Sequence, residues 1–587
     1  MKVLAIHPGH NSTAALVVDG ELVAAISQEK ADNIKNSAAF PSDASQWCLD
    51  TAGLAPRDID KVVIAGEEVM PQACYAYLFN KNQEQESSDW KIELAKSLER
   101  GPVGRAVPWV FQALRSTRRQ QFIAAGKAEL KSSMAAIGLP SDNLIHVEHH
   151  ECHARAAFHA LDESDGKEPA LMLTLDGSGD AISGTVTTWR PGEGWKRIAT
   201  VPMEASLGGY YSNTTRFLGM KILEHEYKVM GLAPYCKSYY LETYKKLFEP
   251  VVWQDPDNPL TFRSSVNAMT FYDYLAQHAV GERFDNIAGA VQHLMEERVT
   301  EWARAAISQT GIRRVFTGGG VFMNVKLNKC LQEMPEIESI HFMPSCGDES
   351  NPIGAAYAVS AAAGVQPKPI KNIYLGIEYS RDELSRFIDE QRLAETYSIE
   401  EPADINERVA DLLASGEIVA RFAGRCEWGA RSLGNRAILG HPSHMESFYT
   451  VNDQIKSRDF WMPFAPSMLD YRAAEYLEGY NPERARAPYM ITAFQATPKG
   501  VQDLRAALHQ GDHTLRPQVV TQDGNPDYYR LLQSFEKRTG VGGVLNTSFN
   551  LHGYPLVATP EQAVFTLERS GLRNLALGPF LVSKRPA

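Results

Sequence analysis

A divergent internal repeat constrains the fold of this 587-residue chain more than any other feature. In its first copy, residues 2–7 are predicted to form a buried strand that ends at the turn Pro8-Gly9-His10-Asn11. Two more strands are predicted over residues 14–18 and 21–26, and the Asp19-Gly20 dipeptide between them is typical of a tight hairpin. The first copy is therefore a strand, a polar turn that contains glycine, and a hairpin.

The second copy begins at residue 170 and repeats the same order of elements. An apolar strand over residues 170–175 leads into the glycine turn Asp176-Gly177-Ser178-Gly179-Asp180. A second hairpin is predicted from residues 182–189 and 195–201, which flank the turn Pro191-Gly192-Glu193-Gly194. Two such copies that face each other across a nucleotide describe the duplicated domain of actin and the sugar kinases, so we predict an α/β fold of that type.

A third glycine element and a proline-rich segment complete the predicted domain organisation. A strand over residues 313–317 leads into Gly318-Gly319-Gly320, where a nucleotide can lie against bare backbone. The prolines of Pro367-Lys368-Pro369 interrupt regular structure. They predict a boundary between a first domain over residues 1–367 and a second α/β domain over residues 375–587.

Two regions of the first domain show the periodicity of helices. Residues 70–145 are predicted to form a helical insertion, with the pattern over residues 89–98 and 120–130. A long helix is also predicted over residues 285–307.

His149 and His153 are the first candidates for a metal site. They are four residues apart, so on a helix both imidazoles lie on one face, at a spacing that suits a shared ion. Asp176, at the end of a predicted strand, adds a hard oxygen ligand, and Gly177 and Gly179 let backbone approach a phosphate. A histidine pair at this spacing is often only a surface or structural pair, but the neighbouring glycine turn favours metal and phosphate together, which indicates nucleotide chemistry.

The C-terminal part contains a second candidate site, where basic residues lie among glycines and prolines. Guanidinium groups bind phosphate oxygens with two donors at once, and hydroxyl and amide groups supply neutral donors. A surface salt bridge is the more common role of any single arginine, whereas several basic residues in two motifs favour a small phosphorylated anion. The candidate residues are Arg431, Arg436, Lys456, Arg458, Arg516, Asn546 and Ser548.

Charge and composition argue against several classes of partner. The net charge is −12 and no basic block occurs, so nucleic acid is not expected as a partner. No apolar run approaches the ~20 residues needed to cross a bilayer. The apolar run at the start of the chain is too short and too soon interrupted for a signal peptide. We therefore expect no membrane association. The seven cysteines are scattered, which favours reduced thiols in the cytoplasm.

Taken together, these motifs resemble those of the NodU/CmcH family of carbamoyltransferases, over nearly the whole chain. The resemblance implies an actin/sugar-kinase domain like that of the tRNA-modifying subunit TsaD, followed by a YrdC-like domain. It further implies that the YrdC-like domain takes carbamoyl phosphate, and that the first domain uses ATP to form carbamoyl-adenylate and passes the carbamoyl group to a hydroxyl of a small molecule. The segments that carry the resemblance are residues 10–16, 149–154, 175–177, 226–233, 318–320 with Asn324, 347–350, 431–436, 463–466 and 545–550.

The predicted metal ligands are His149, His153, Asp176 and Asp348. Two imidazoles and two carboxylates suit Fe(II), Mn(II) or Zn(II), and the resemblance implies iron. His10, in the turn after the first strand, is the candidate general base for the acceptor hydroxyl, because an imidazole titrates near neutrality. The alternative is a turn histidine that only binds phosphate or backbone.

ATP and carbamoyl-adenylate are expected to lie on glycine backbone and one cation. Lys228 supplies a point charge for phosphate, although it could instead pair with Glu224 on one helix face. Carbamoyl phosphate is expected on the basic residues of the C-terminal part. The predicted nucleotide-binding residues are Gly177, Gly179, Lys228, Gly318, Gly319 and Asn324.

Two other functions stay open at this point. One is a TsaD-like tRNA threonylcarbamoyl transferase, against which the acidic charge and the YrdC-like part argue. The other is a nucleotide-binding sensor without turnover, against which the second anion site argues. The acceptor is expected to be a hydroxylated natural product of unidentified structure, and a homodimer is compatible with the sequence.

Overall fold

The computed structural model of the protein describes residues 1–74, 108–141, 144–456 and 458–585. Its N-terminal part contains two five-stranded mixed sheets and one two-stranded ribbon. The first sheet consists of β1 (Lys2–His7), β2 (Thr13–Val18), β3 (Glu21–Ser27), β4 (Lys61–Ala65) and β5 (Ile145–Val147). The strands that follow are β6 (Ala170–Gly179), β7 (Ile182–Arg190), β8 (Gly194–Pro202), β9 (Val252–Gln254), β10 (Phe262–Ser264), β11 (Arg314–Gly318) and β12 (Ser339–Phe342), of which β9 and β10 form the ribbon.

The two large sheets have the same topology. Their strand orders are β3-β2-β1-β4-β5 and β8-β7-β6-β11-β12. In each sheet three strands form an antiparallel meander, and two more strands are added in parallel beside the first strand of the meander. Asp19 and Gly20 have φ angles of 49° and 80°, as a tight type I′ hairpin requires. The predicted repeat and the actin/sugar-kinase type of fold are confirmed.

Helices surround these sheets and confirm two of the helical predictions. α9 covers the long helix predicted over residues 285–307, and α3 covers the helical pattern over residues 120–130. The helical pattern over residues 89–98 lies outside the described residues. The helices described in this part are α1 (Glu29–Asp32), α2 (Ser42–Thr51), α3 (Pro108–Ala136), α4 (His149–Leu161), α5 (Leu207–Phe217), α6 (Glu226–Leu232), α7 (Tyr240–Leu247), α8 (Phe271–His278), α9 (Phe284–Thr310), α10 (Val325–Glu333) and α11 (Asn351–Ala362).

Helices α4 and α11 connect the two sheets through their own contact. α4 packs on β6 and β11 of the second sheet, α11 packs on β1, β2 and β4 of the first, and the helices pack on each other. At their contact, a Cβ atom on Gly354 would lie 1.8 Å from the carbonyl oxygen of Cys152, so a larger residue would force the helices apart. This contact fixes α4 beside β6, whose final residues include Asp176.

An eight-stranded mixed sheet forms the C-terminal part. Its order is β13-β22-β21-β14-β15-β20-β16-β19, and β17 pairs separately with β18. The strands are β13 (Tyr397–Glu400), β14 (Val419–Phe422), β15 (Arg436–Gly440), β16 (Ala465–Leu469), β17 (Phe494–Gln495), β18 (Thr514–Leu515), β19 (Gln518–Val520), β20 (Gly543–Ser548), β21 (Asn574–Leu577) and β22 (Phe580–Lys584). The helices are α12 (Arg381–Glu390), α13 (Leu393–Thr396), α14 (Ile405–Ala414), α15 (Met445–Tyr449), α16 (Ala473–Tyr476), α17 (Pro498–Asp503), α18 (Pro526–Thr539) and α19 (Pro560–Glu568).

The segment between α11 and α12 has no regular secondary structure and runs along the N-terminal part. The backbone N–H of Lys368 donates to the carbonyl of Gly20 at 2.8 Å, and that of Ile370 donates to Ala160 at 3.0 Å. The domain boundary and the YrdC-like character of residues 375–587 stay predictions.

Two features of the described residues bear on the environment of the chain. None of the described helices is both long enough and apolar enough to cross a membrane. All seven cysteines are free thiols, as the sequence predicts. The thiol of Cys152 donates to the carbonyl of Val147, which turns it away from the histidines on either side of it.

We predict that Gly354→Ala destabilises the N-terminal part, because the added methyl group has no room beside Cys152. Overpacking of this kind costs about 1–3 kcal/mol. Scanning calorimetry should show a lower unfolding temperature, whereas Ala362→Ser, at the exposed end of the same helix, should unfold at the wild-type temperature. A Gly354→Ala variant as stable as the wild type would contradict the close packing of α4 and α11.

Candidate functional site

The four predicted metal ligands meet at one point, with both histidines buried and both aspartates half-buried. The Nε2 atoms of His149 and His153 lie 3.4 and 3.1 Å from Asp176 Oδ2. The same two atoms lie 3.5 and 3.6 Å from Asp348 Oδ1. One ligand atom from each of the four residues lies within 4.8 Å of the others. The fold therefore brings together α4, the end of β6 and the segment after β12.

Residues at the start of α11 orient the two imidazoles through their other ring nitrogens. His153 Nδ1 lies 3.2 Å from Ser350 Oγ, and His149 Nδ1 lies 3.3 Å from Asn351 Nδ2. The Asn351 Oδ1 atom is buried and has no hydrogen-bond partner. With the amide turned over, this oxygen would accept the Nδ1–H of His149 and leave Nε2 free for a metal.

Asp180 holds the start of α4 in place. Its carboxylate accepts the backbone N–H of His149 at 2.8 Å, and those of Glu67 and Glu68 at 2.9 Å each. Asp180 and the next residue, Ala181, have φ angles of 47° and 71°, which are unfavourable for residues other than glycine. The strained turn of the second repeat thus binds the loop after β4 to the helix that carries the histidines.

The imidazoles and carboxylates of the cluster shift one another's pKa values. Burial disfavours charged imidazoles, but hydrogen bonds to Asp176 and Asp348 outweigh it and raise the pKa of His153 to about 9. The pKa of His149 is also raised, because Asp348 opposes the effect of burial. Burial alone would raise the pKa of Asp176, yet the two histidines lower it to about 2, and they hold the pKa of Asp348 well below its usual range.

These observations fit a divalent transition metal. Two imidazole nitrogens and two carboxylate oxygens form a donor set that such ions accept, and the ring nitrogens that face away have polar partners. A cation bound by the imidazoles would balance the charge of the same two carboxylates. The donor set alone does not select iron over manganese or zinc.

The cluster lies on the wall of a cavity of about 1030 Å³ between the N- and C-terminal parts. Both candidate sites predicted from separate motifs therefore face one space. The predicted residues that line this cavity are His10, His149, Asp176, Gly177, Gly179, Asn324, Asp348, Arg431, Lys456, Arg458, Arg516 and Ser548.

Arg431, Lys456, Arg458 and Arg516 form a cation group on the C-terminal wall. Burial lowers the pKa of all four side chains, and repulsion from other members of the group adds to the effect for Arg431, Lys456 and Arg516. The Nε atoms of Arg431 and Arg516 are buried and have no hydrogen-bond partner. Among residues that the structure describes, no carboxylate forms an ion pair with any of the four. Lys456 is buried and the three arginines are half-buried, and cations in such positions without anionic partners favour the binding of a phosphorylated anion.

The other polar contacts of the cation group are to the end of β20. Lys456 Nζ donates to Ser548 Oγ at 3.3 Å and to the carbonyl of Asn550 at 2.8 Å. Arg458 Nη1 lies 3.5 Å from Thr547 Oγ1. Ser548, predicted from the sequence to bind the anion, is therefore in contact with Lys456.

Arg436 and Asn546 do not line the cavity, although both are predicted to bind the anion. Arg436 donates to the carbonyl of Gly424 at 3.1 Å. Asn546 Nδ2 donates to the carbonyl of Ser432 at 3.3 Å. Their contacts favour a supporting role for the loop that carries Arg431.

The nucleotide-binding glycines have different positions. Gly177 and Gly179 line the cavity together with Asn324. A Cβ atom on Gly179 would lie 2.1 Å from the ring of His149, so glycine is required for contact with the cluster. Asn324 caps α10 by accepting the N–H of Leu327, and its Nδ2 donates to Gln292.

Gly318 and Gly319 lie behind the wall of the cavity. Gly319 has a φ of 97°, and a Cβ atom there would lie 2.2 Å from the carbonyl oxygen of Leu175. A Cβ atom on Gly318 would lie 2.9 Å from the carbonyl oxygen of His153. These glycines let β11 approach the cluster closely, and the next residue, Gly320, lines the cavity.

Lys228 lies beside the cavity and joins α6 to the C-terminal part. Its Nζ atom lies 3.1 Å from Asp459 Oδ2, and its carbonyl accepts a hydrogen bond from Trp461 at 3.1 Å. Pairing with Glu224 is wrong, since Glu224 precedes α6 and pairs with Lys221. The role of Lys228 in binding ATP stays a prediction.

His10 lines the cavity at the predicted turn, and a second histidine accompanies it. Burial lowers the pKa of His10, so its ring is neutral at pH 7 and able to accept a proton. His7, which the sequence reasoning missed, has Nε2 3.1 Å from the carbonyl oxygen of His10 and 3.6 Å from Asp348 Oδ2. The repeat could have identified His7. It ends β1 in the first copy, at the position that corresponds to Asp176 of β6 in the second copy.

Lys35 is a second residue that the sequence reasoning missed. It lines the cavity from the N-terminal part, and burial lowers the pKa of its ammonium group. Its ammonium lies 5.8 Å from the centre of the Tyr227 ring. No motif marked it, because only the fold brings this loop opposite the cation group.

The two sheets of equal topology define an α/β protein of the actin/sugar-kinase fold type. More specifically, the chain belongs to the carbamoyltransferase family and is therefore a transferase. The family model described as Carbamoyltransferase N-terminus matches residues 2–357, and the model described as Carbamoyltransferase C-terminus matches residues 410–584. The family expected from the motifs is confirmed.

Two relatives illustrate the extent of the similarity. Nodulation protein NolNO of Sinorhizobium fredii is 30% identical over 590 residues, which cover 98% of this chain and 79% of that protein. Nodulation protein NolO of Bradyrhizobium diazoefficiens is 32% identical over 451 residues, which cover 75% of this chain and 79% of that protein. Among solved structures, full-length HypF in its phosphate- and nucleotide-bound form aligns with a TM-score of 0.33 at 11% identity, over 62% of this chain and 56% of that one.

We predict that His153→Ala abolishes stoichiometric metal binding, because it removes one of four ligands from a buried site. Metal content after purification and equilibration with Fe(II), Mn(II) or Zn(II) provides the measurement. His159→Ala is the matched control, since His159 lies on the same helix but outside the cluster. Wild-type metal content in folded His153→Ala would remove the assignment.

Metal affinity should rise with pH, because the cation must displace protons from the cluster. His153, with a pKa of about 9 when the protein is metal-free, is charged at pH 7 and must lose its proton to coordinate. Each displaced proton gives about a tenfold gain in affinity per pH unit below that pKa. Titration with Mn(II) between pH 6.5 and about 9 measures the slope. A pH-independent affinity would show that the histidines are not ligands.

Proposed function

We propose that this transferase is an ATP-dependent O-carbamoyltransferase that takes the carbamoyl group from carbamoyl phosphate and transfers it to a hydroxyl of a small natural product. The observation that carries the proposal is the single cavity shared by the metal-fitting cluster and the cation group. Carbamate is a poor electrophile, and adenylation supplies a good leaving group. Activation by ATP needs one phosphate site in addition to that for the donor, which agrees with the two walls of the cavity.

The proposed reaction has three steps. Carbamoyl phosphate first reacts with water at the cation group and yields carbamate and phosphate. A carbamate oxygen then attacks the α-phosphorus of ATP, the bond to the β-phosphate oxygen breaks, and pyrophosphate leaves as carbamoyl-adenylate forms. Finally the acceptor oxygen attacks the carbonyl carbon, loses its proton to a base, and AMP leaves. A shared cavity limits exposure of carbamate and carbamoyl-adenylate to bulk water.

In this proposal the C-terminal wall binds the donor phosphate. Arg431, Arg458 and Arg516 provide the guanidinium donors, and phosphate compensates charges that are otherwise buried without partners. Ser548 adds a neutral donor beside Lys456. We assign Arg436 and Asn546 to support of the Arg431 loop, since neither lines the cavity.

The N-terminal wall binds the nucleotide and carries out transfer. Backbone at Gly177 and Gly179 accommodates the phosphates, and Asn324 lines the same space. His149, His153, Asp176 and Asp348 would hold the metal, for which we propose Fe(II); when bound, it would act as a Lewis acid toward phosphate and carbamoyl oxygens. Neutral His10 accepts the proton of the acceptor hydroxyl, while His7, in contact with the His10 carbonyl, steadies the turn.

The alternatives explain fewer of the features. A tRNA-modifying transferase needs a cationic surface for RNA, whereas the net charge is −12. A sensor that only binds a nucleotide has no use for the buried cation group. The free thiols favour the cytoplasm as the location, and we propose no nucleic acid or membrane partner.

The direct test is incubation of metal-loaded protein with ATP, labelled carbamoyl phosphate and a panel of hydroxylated natural products. The proposal expects AMP and pyrophosphate in equal amounts, and label in the acceptor. Absence of both products with each of Fe(II), Mn(II) and Zn(II) would favour a sensor. Turnover only with tRNA and a threonylcarbamoyl donor would favour the tRNA enzyme.

We predict that Arg458→Ala impairs the binding of carbamoyl phosphate and leaves the function of the N-terminal wall unchanged. Loss of a charge-assisted contact costs about 1.5–3 kcal/mol, which weakens carbamoyl phosphate binding about ten- to a hundredfold. The affinity for ATP and transfer from supplied carbamoyl-adenylate should stay at wild-type levels. Arg505→Ala is the control, because Arg505 is an exposed arginine of the same part that donates to the carbonyl of Ser443. If Arg458→Ala cannot use supplied carbamoyl-adenylate, the assignment of donor binding to one wall and of transfer to the other is wrong.

A further inference from the structure

Glu427 is a buried carboxylate that collects three backbone donors on one oxygen atom. Its Oε1 accepts the N–H of Leu433 at 2.8 Å, of Asn435 at 2.8 Å and of Arg436 at 3.1 Å. The side chain is 1% exposed and does not line the cavity, so it does not touch a ligand there. A ring of backbone N–H groups is a typical binding site for an anion, and here the anion is part of the protein.

The donors belong to the segment over residues 429–436, which we call the arginine loop because it carries Arg431. Two carbonyl groups of the same loop also accept hydrogen bonds. The Leu433 carbonyl accepts from Tyr374 Oη at 2.8 Å, and the Gly434 carbonyl accepts from Arg421 Nη1 at 2.7 Å. Gly434 has a φ of 107°, a conformation that favours glycine. These contacts hold the loop at Leu433 and Gly434.

The other end of the arginine loop is attached to the N-terminal part. The N–H of Ala430 donates to Ser345 Oγ at 3.3 Å, and Ser345 Oγ donates to Glu349, the neighbour of Asp348. Arg431 lies between this attachment and the donors to Glu427. Its Nε atom is buried without a hydrogen-bond partner, and the side chain lines the cavity.

We infer that Glu427 is a positioning residue that holds the arginine loop so that Arg431 faces the donor phosphate. The inference rests on the proposed function, because it takes Arg431 as a contact of carbamoyl phosphate. A carboxylate suits this role, since hydrogen bonds to an ionised acceptor are roughly twice as strong as those between neutral groups. Glu427 acts on the donor only through Arg431.

The experiment is a double-mutant cycle with Glu427→Gln, Arg431→Gln and the double variant. Glutamine keeps an acceptor oxygen, so the variant should fold, but it loses the charge that binds the three N–H groups. Each single variant should raise the KM for carbamoyl phosphate about tenfold, with the KM for ATP within about twofold of wild type. The double variant should be no worse than Arg431→Gln alone, because both changes remove the same contact.

A matched control separates positioning from general stability. Asp162 is a buried carboxylate of the N-terminal part that accepts backbone N–H groups of Ser164 and Gly166 and lies outside the cavity. Asp162→Asn should lower the unfolding temperature without raising the KM for carbamoyl phosphate. Multiplicative effects in the double variant, or a Glu427→Gln variant with wild-type KM while Arg431→Gln is impaired, would overturn the inference and leave the proposed function intact. An Arg431→Gln variant with wild-type KM would also overturn the inference, whereas absence of AMP, pyrophosphate and labelled acceptor with the wild-type protein would overturn the proposed function.

Discussion

The constraint on which the site depends is the placement of two half-buried carboxylates, Asp176 and Asp348, around one point. Two carboxylates at this depth need positive partners, and the nearest ones are the imidazoles of His149 and His153. The duplicated sheets make this arrangement possible, because each contributes elements that end at the same point. The contact between α4 and α11 then fixes the histidines, with Ser350 and Asn351 at the start of α11 orienting their rings.

The opposite wall of the cavity has cations that lack carboxylate partners in the described part of the chain. Arg431, Arg458 and Arg516 are half-buried and have no carboxylate partner among the described residues, so this wall carries positive charge that is not compensated by the protein. The metal-fitting cluster and the cation group are thus complementary to the two reactants that the proposed chemistry requires. Two contacts join the N- and C-terminal parts beside the cavity. Lys228 pairs with Asp459, and Ala430 of the arginine loop donates a hydrogen bond to Ser345.

Local patterns in the sequence were sufficient for much of this architecture. The hairpin at Asp19-Gly20, the strand before Asp176 and the helical spacing of His149 and His153 each depend on neighbouring residues, and the structure contains all of them. Contacts between residues far apart in the sequence could not be predicted from such local patterns. Arg436 and Asn546 belong to two motifs rich in polar residues, yet tertiary packing turns Asn546 toward Ser432 of the arginine loop and the Arg436 side chain toward the carbonyl of Gly424. Lys228 pairs with Asp459, 231 positions along the chain, and His7 joins the site only because β1 ends there.

The central claim is that both walls act on one enclosed reaction, and complementation in trans tests it most directly. Asp348→Asn removes the metal-fitting wall, and Arg516→Gln removes part of the donor wall. Equal amounts of the two purified variants are mixed with ATP, carbamoyl phosphate and a hydroxyl acceptor that the wild-type protein uses, and AMP formation is measured. The account predicts the sum of the two residual activities at every protein concentration, because carbamate does not leave one chain to be used by another. Activity that rises toward the wild-type level on mixing would contradict it.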